Sequence, residues 1–402
     1  MKTLSKILIY FVATCLLAWL LPWTYNFITV RPINSPFTLY SCITKGFTTI
    51  ETKKDGPTLY EDFNGNRYTT AQFDSINPFF YYRQLLAKDN LPDSINGVSV
   101  NAGIIRKSNF NIKQSPRDIN VNMPRLWMFM ESIPSHVDLD EPKEVIRINN
   151  KITIIEMSTN KINEEKSKIF NKVMTDKGFK FPAIALNGNP TTKKEYDEGY
   201  LIIDSNNKVF HIKQMKGRPY VRKITLRDDI KANSVLITEF SDKKHLGFVG
   251  DEDNNFYVID RNYDIHQLPF NYNPKNNSIM IIGNMLDWTV KVTDNDGYSI
   301  FAIDANNYSL IDKVGISYDK ENNYEKASKV IFPFKLSFTS PTNKLIKPSV
   351  EEISYISILF NILLGAIYII LNRRNNKSKY LKSVFILLGG IFIFIPLLII
   401  KH

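Results

Sequence analysis

The last fifty residues constrain this chain most. Residues 353–371 (ISYISILFNILLGAIYIIL) and 383–400 (SVFILLGGIFIFIPLLII) are charge-free apolar runs. Each is long enough, as a helix, to cross a hydrocarbon core of about 30 Å, so together they predict a transmembrane hairpin. The intervening loop 372–382 (NRRNNKSKYLK) carries Arg373, Arg374, Lys377, Lys379 and Lys382 and no acid. A basic excess in a short loop marks the cytoplasmic side, which sets Glu351 and Glu352 on the opposite face.

The other end of the chain tests that topology. Lys2 and Lys6 precede an apolar run from Ile7 to Leu21, followed by Pro22, Trp23 and Tyr25, aromatics suited to a membrane interface. An anchor over residues 1–25 with its N-terminus inside agrees with the tail and leaves 26–352 outside, so three membrane helices are expected with loop 372–382 cytoplasmic. A cleaved signal peptide is the alternative for residues 1–22, although no small-x-small site is followed by a polar mature start.

Charge is then read by compartment. Lys2, Lys6, the five loop residues and Lys401 account for eight of the formal +11, leaving +3 for residues 26–352. The basic balance is an address rather than a nucleic-acid surface, so the membrane is an expected partner and nucleic acid is not. Cys15 lies in the first apolar run and Cys42 in the outer body, so the body must fold without a disulfide.

Along that body, FTLYSCI, FTTIET, TLYEDF and RYTTAQF within 31–75 read as short strands. Residues 78–90 read as a short helix opened by Pro78, with Phe79, Tyr82, Leu85 and Leu86 at helical spacing. GVSVNAGII and EVIRINN look strand-like. Asn163 as cap, Glu164 and Glu165 in the first turn and Gly178 as stop predict the clearest soluble helix. From about 180 to 330 the chain repeats: YLIIDSNNKVFHI (200–212), LGFVGDEDNNFYVI (246–259) and WTVKVTDNDGYSIFAI (288–303) share a strand, a turn begun by Asp204, Asp251 or Asp294, and a second strand. VLITEF and IHQLPF flank the second unit. Units of about 45 residues match a four-stranded propeller blade, and TLYEDFNGNRYTTAQF looks like another copy that would bring early and late units together. The expected fold is mainly β, a propeller-like array with a few short helices; another all-β or α+β body is the alternative.

Three stretches go beyond pattern: 68–85 (YTTAQFDSINPFFYYRQL), 188–200 (GNPTTKKEYDEGY) and 216–222 (KGRPYVR). They resemble an uncharacterised family of bacterial membrane-anchored envelope proteins carrying a domain of unknown function. Its members are encoded near ABC-type transport systems, so the resemblance implies a transporter-accessory role and a permease partner. It brings no catalytic residues.

The same stretches supply candidate contacts. Tyr82 and Arg83 could grip a carboxylate or phosphate, against the plainer reading of Tyr82 as core. Thr191, Thr192, Tyr196, Asp197 and Glu198 fit a polar pocket or a loop joining two strands after Pro190. Arg218 and Arg222 flank Pro219-Tyr220, a recognition corner or a turn. Scattered histidines and one outer cysteine build no local zinc site, and the acidic run at 251–255 lacks a calcium loop's closing glutamate. No metal, cofactor or catalytic residue is expected, since no nucleophile elbow or phosphate loop is present. In the tail, Ser357, Asn361 and Gly365 recur every four residues, with Gly389 and Gly390 on the next run, as helix-packing positions. They serve the chain's own helices or a separate permease. Two functions are therefore expected in competition: an accessory or interaction subunit without chemistry of its own, and an envelope hydrolase or ligand sensor with a site at the centre of the β body.

Overall fold

Five antiparallel sheets of three or more strands, with a two-stranded ribbon at Ser94–Ser99, form the β unit, Ser35–Ser317. This computed structural model describes residues 2–29, 35–52, 56–120, 126–134, 136, 139–318, 323–340, 344, 346–372 and 378–400. In chain order the sheets span 37–62, 127–162, 185–224, 232–271 and 278–317; the first has three strands, the next three have four, and the last gains a fifth, Phe110–Gln114, paired along Ser278–Gly283. Early and late segments thus do meet, through a strand that the sequence pattern did not single out.

Alternation explains how the sheets stack. In strand Tyr200–Ile203, Tyr200 and Ile202 join a core with Phe129, Ile146 and Ile154 of the 127–162 sheet, while Leu201 and Ile203 join one with Val235, Leu246 and Val249 of the 232–271 sheet. The next seam repeats this: Phe248, Phe256 and Val258 turn toward Ile279, Ile281 and Trp288 of the 278–317 sheet. Side chains of a strand point alternately to its two faces, so a sheet buried on both reads as a continuous apolar run. Each fully buried Ile or Phe contributes roughly 1.5–3 kcal/mol. The mainly β, propeller-like reading therefore holds, with stacked four-stranded units.

The repeated turn has one chemical basis. At Asp62, Asp204, Asp251, Asp260, Asp294 and Asp304 the carboxylate Oδ1 accepts two backbone N–H groups from the following turn, an Asp-driven turn. Two of these are near-copies: Asn66 and Tyr68 donate to Asp62 Oδ2, as Asn255 and Tyr257 do to Asp251 Oδ2. The expected early repeat is thus real at its turn. It ends there, because Thr69 caps a helix, Thr70–Ile76, in a reciprocal box with Gln72, so TTAQF is not a strand.

Other local expectations divide. Helix Glu164–Asp176 is capped by Asn163, whose Oδ1 accepts from Lys166 N, and stops at Gly178. The 78–90 helix shrinks to Tyr82–Ala87, with Leu85 buried and Leu86 exposed. GVSVNAGII gives a two-residue strand, Val98–Ser99, then a helix, Ala102–Ser108, because Asn101 caps it by accepting from Ile104 N.

The second unit combines residues 1–34 with 318–402, so the β body is narrower than the 26–352 expected. One described helix, Lys2–Thr29, continues through Pro22 and is long and apolar enough to cross a membrane; a signal sequence has the same character. Helix Ser357–Leu371 has only 15 residues, about 22 Å. The 383–400 run is not one span. It divides into Ser378–Gly389 and Ile391–Ile399 at Gly390, whose φ of +53° places a would-be Cβ 2.3 Å from Asn361 Oδ1, so a glycine is needed there. Arg373, Arg374 and Lys377 of the basic loop lie outside the described residues.

Candidate functional site

Two regions of the β unit gather polar chemistry, and they differ in whether that chemistry is already satisfied. The first forms around Tyr196–Tyr200, where the chain turns into the inner strands of the 185–224 sheet. The Lys194 side chain is 5 % exposed, and its Nζ sits 2.6 Å from Asp197 Oδ1 and 2.8 Å from Glu239 Oε1. Ser132 Oγ and Gly199 N donate to Asp197 Oδ2, and Glu198 N donates to Glu239. Glu198 meets Lys213 and Arg261, each at 2.8 Å. Burial pushes the Glu198 carboxyl up, yet these two cations outweigh it and hold it below the usual carboxylate range. Burial raises Glu239, only partly offset by Lys194 and the Glu198 amide.

A directional chain of hydrogen bonds completes this cluster. His211 Nε2 lies 2.5 Å from Glu198 O, a carbonyl that can only accept, so Nε2 carries the proton. Nδ1 then accepts from Tyr263 Oη at 2.7 Å, and Tyr263 accepts from Tyr220 at 3.1 Å. Burial lowers His211 to about 4, so it is neutral in this role. Arg222 stacks on Tyr263 with its guanidinium carbon 3.9 Å from the ring centroid.

The second region is a cavity of ≈ 620 Å³ between the 37–62 and 278–317 sheets. Strand Asp287–Thr293 sets apolar Trp288, Val290 and Val292 into the core toward the 232–271 sheet and turns Asp287, Thr289 and Lys291 the other way. That polar face is covered: Tyr40 N donates to Thr289 Oγ1 at 2.8 Å, and Lys291 Nζ donates to Ser35 Oγ at 2.6 Å. Asp287, 3 % exposed, lines the cavity. Its Oδ1 accepts from Asn284 Nδ2 at 3.0 Å, whereas Oδ2 has no hydrogen-bond partner among the described residues. Burial pushes its carboxyl up to about 7, Asn284 opposing and Asp304 adding to the shift. Burial, with Asp287 nearby, raises the Cys42 thiol to about 12. Asn109 Nδ2 donates to Phe79 O at 2.6 Å, leaving its buried Oδ1 unpartnered. A Cβ on Gly283 would sit 2.3 Å from the Phe110 ring, so this glycine lets that ring form the inner wall.

The sequence candidates fall into three places. Tyr82 and Arg83 line the cavity, Arg83 Nε donating to Tyr82 Oη at 3.2 Å. Tyr196 and Asp197 belong to the ionic cluster, where Tyr196 Oη donates to Phe240 O, and Arg222 reaches it through Tyr263. Arg218 is exposed beside the two-residue Lys216-Gly217 turn, whose N–H groups bind Glu131. In the helical unit, Ser357, Asn361 and Gly365 are buried; Ser357 Oγ donates to Ser354 O, while Asn361 and Gly365 meet helix Ser378–Gly389, Asn361 Nδ2 donating to Leu387 O and Ser383 Oγ to Gly365 O. Gly389 is buried and Gly390 marks the break. Glu198, read in the sequence with Tyr196 and Asp197, does belong to this cluster, whereas sequence reasoning missed Asp287, Lys194, His211 and Glu239. For Asp287 a signal existed, since DWTVKVT alternates strictly, but such alternation ordinarily marks a solvent face. Among the described residues no group of three or more His, Cys, Asp or Glu side chains is placed to hold a metal ion.

Comparison with known proteins adds fold and family. No curated protein matches the chain. Similar solved structures include a Myceliophteria thermophila Cps50 (Swd1) β-propeller domain at 10 % identity and TM-score 0.27, covering 49 % of this chain and 57 % of that one. A Lactobacillus plantarum protein stands at 8 % and 0.25, covering 53 % and 56 %, and the Dos1 propeller at 7 % and 0.28, covering 71 % and 62 %. This chain thus spans little more than half the length of the first two, and the propeller-like description rests on its own sheets. Residues 37–303, which hold both polar regions, match a family profile, and the chain belongs to the family described as a domain of unknown function (DUF4857).

Proposed function

We propose that this protein is a membrane-attached accessory subunit, its β body extracytoplasmic, that binds a small ligand and docks on a membrane complex such as an ABC-type transport permease. The observation that carries this reading is the inverted polarity of the tail. In helix Ser357–Leu371 the polar Ser357 and Asn361 are buried, while Leu359, Leu363, Ile370 and Leu371 are exposed. A helix in water hides its apolar face; one whose apolar face is outermost suits lipid or a partner's helices. With the small and polar stripe occupied inside the chain, docking falls to the apolar face. No Asp, Glu, His, Lys or Arg lies within Ser357–Leu371 or Ile391–Ile399, which supports attachment over transport by this chain alone.

Binding is favoured over catalysis by the cavity's chemistry. The Cys42 thiol, at about 12, supplies no thiolate at neutral pH, and among the described residues the cavity lining holds no histidine to pair with Asp287. Purification of the full chain in mild detergent tests the reading: stoichiometric recovery of permease subunits is expected, lost when residues 353–402 are removed. A reporter fused near position 200 that is active only in the cytosol would overturn it.

A further inference from the structure

The cavity's electrostatics narrow its ligand, granted that the β body is a binding module. Asp287 is almost fully buried yet has no cationic partner among the described residues: Lys291, two residues beyond Thr289 on the same face, is turned to Ser35 Oγ, Pro36 O and the Tyr298 ring. The other titratable groups that bear on Asp287 are Asp304, Cys42 and Tyr40, all acids. A buried carboxyl among acids, with one oxygen open to a cavity, is complementary to a cation bearing hydrogen-bond donors. Asn109, whose buried Oδ1 is unpartnered, also lines the cavity, as do the aromatic residues Tyr40, Phe79 and Phe110, a residue type that attracts an ammonium group. The rim has the opposite sign. Arg83 and Arg106 line it, are exposed, and form no ion pair among the described residues.

We propose that this cavity binds a small zwitterion, a free amino acid or short peptide, with its ammonium group on Asp287 and its carboxylate toward Arg83 and Arg106. Acceptors inside and guanidinium groups at the rim match the two ends of such a molecule. A simple amine would meet repulsion at the rim, and a simple anion would leave Asp287 unpaired. A volume of ≈ 620 Å³ falls in the range usual for small-molecule sites and leaves room for more than one residue.

Calorimetric titration of the full chain in detergent tests this with free amino acids, di- and tripeptides, their N-acetylated and C-amidated forms, and maltose as an uncharged polyol. Unmodified peptides are expected to bind, N-acetylation to weaken binding at least tenfold, and amidation to weaken it three- to tenfold. Asp287→Asn, nearly isosteric, should reproduce the acetylation loss, and Arg106→Ala at the exposed rim should reproduce the amidation loss. Equal binding of acetylated and free peptides, binding of maltose alone, no binding by any probe, or unchanged affinity in Asp287→Asn would each overturn the assignment. Subunit recovery in detergent is independent of these outcomes, so failure here leaves the accessory reading standing, and failure there leaves this one.

Discussion

The ionic cluster around Glu198 and the cavity at Asp287 lie in one β unit and bury comparable polar groups, yet they are completed differently. In the cluster every carboxylate meets a cation or an N–H: Asp197 and Glu239 share Lys194, and Glu198 takes Lys213 and Arg261. At the cavity a single carboxyl has one oxygen on Asn284 and the other open. Charges paired with their own chain hold strands in register, while an unpaired one in a cavity holds a place for something else. Pairing, not burial, separates the two.

The largest test breaks the paired side. Lys194→Ala leaves Asp197 and Glu239 buried without their cation, and loss of one partner of a buried pair costs about 3–5 kcal/mol. Denaturant unfolding of the full chain in detergent should register that loss; a change under 1 kcal/mol would mean that water already reaches the cluster.

Asp287→Asn should act in the opposite direction and depend on pH. The folded carboxyl titrates at about 7 and the unfolded one near 3.8, so between these values the native state holds the extra proton. Stability from this group is therefore complete below pH 3.8 and lost as pH rises through 7. Asparagine removes that loss, a gain on the order of 2–4 kcal/mol at pH 8 and none at pH 3.5. His211 slopes the other way. Its folded value of about 4 lies below the free value of 6.5, so its stability is present above 6.5 and lost as pH falls through 4. In the native protein these two slopes oppose between pH 4 and 6.5; in Asp287→Asn this carboxyl no longer opposes the histidine slope, to which His245, also lowered to about 4, adds, and thermal melts across that range should show a steeper acid loss than the native protein does.

The smallest effect is expected at the rim. Arg106→Ala removes an exposed side chain with no ion pair among the described residues, so stability should change by less than about 0.5 kcal/mol. A larger loss would show that the rim is structural, and the contrast with Lys194 would weaken.

Legibility followed how local each cause was. The Asp turns and the Asn163 cap were readable because donor and acceptor lie within a few residues. The repeat was readable because strand, Asp turn and second strand recur within short stretches of the chain. Helix Ala102–Ser108 was missed because a single Asn101 cap outweighed the strand pattern of GVSVNAGII. The tail's length was legible and its break at Gly390 was not, since a glycine in an apolar run reads as tolerated until Asn361 is seen beside it. Tyr82 and Arg83 were chosen from the wall that later proved to line the cavity, but its floor was not. Asp287, Thr289 and Lys291 look like a wet strand face, and only the packing of the 37–62 sheet, distant in sequence, makes that face dry.

Strand Phe110–Gln114 imposes an order on how this protein comes into being. It is synthesised long before Ser278–Gly283, the edge it pairs with, and at about 5–20 residues per second it waits on the order of ten seconds for that partner strand. Chains cut short before residue 278 never acquire that edge. Their Phe110–Gln114 backbone keeps its N–H and C=O groups without that partner, so the last sheet closes only once the chain beyond residue 278 has arrived.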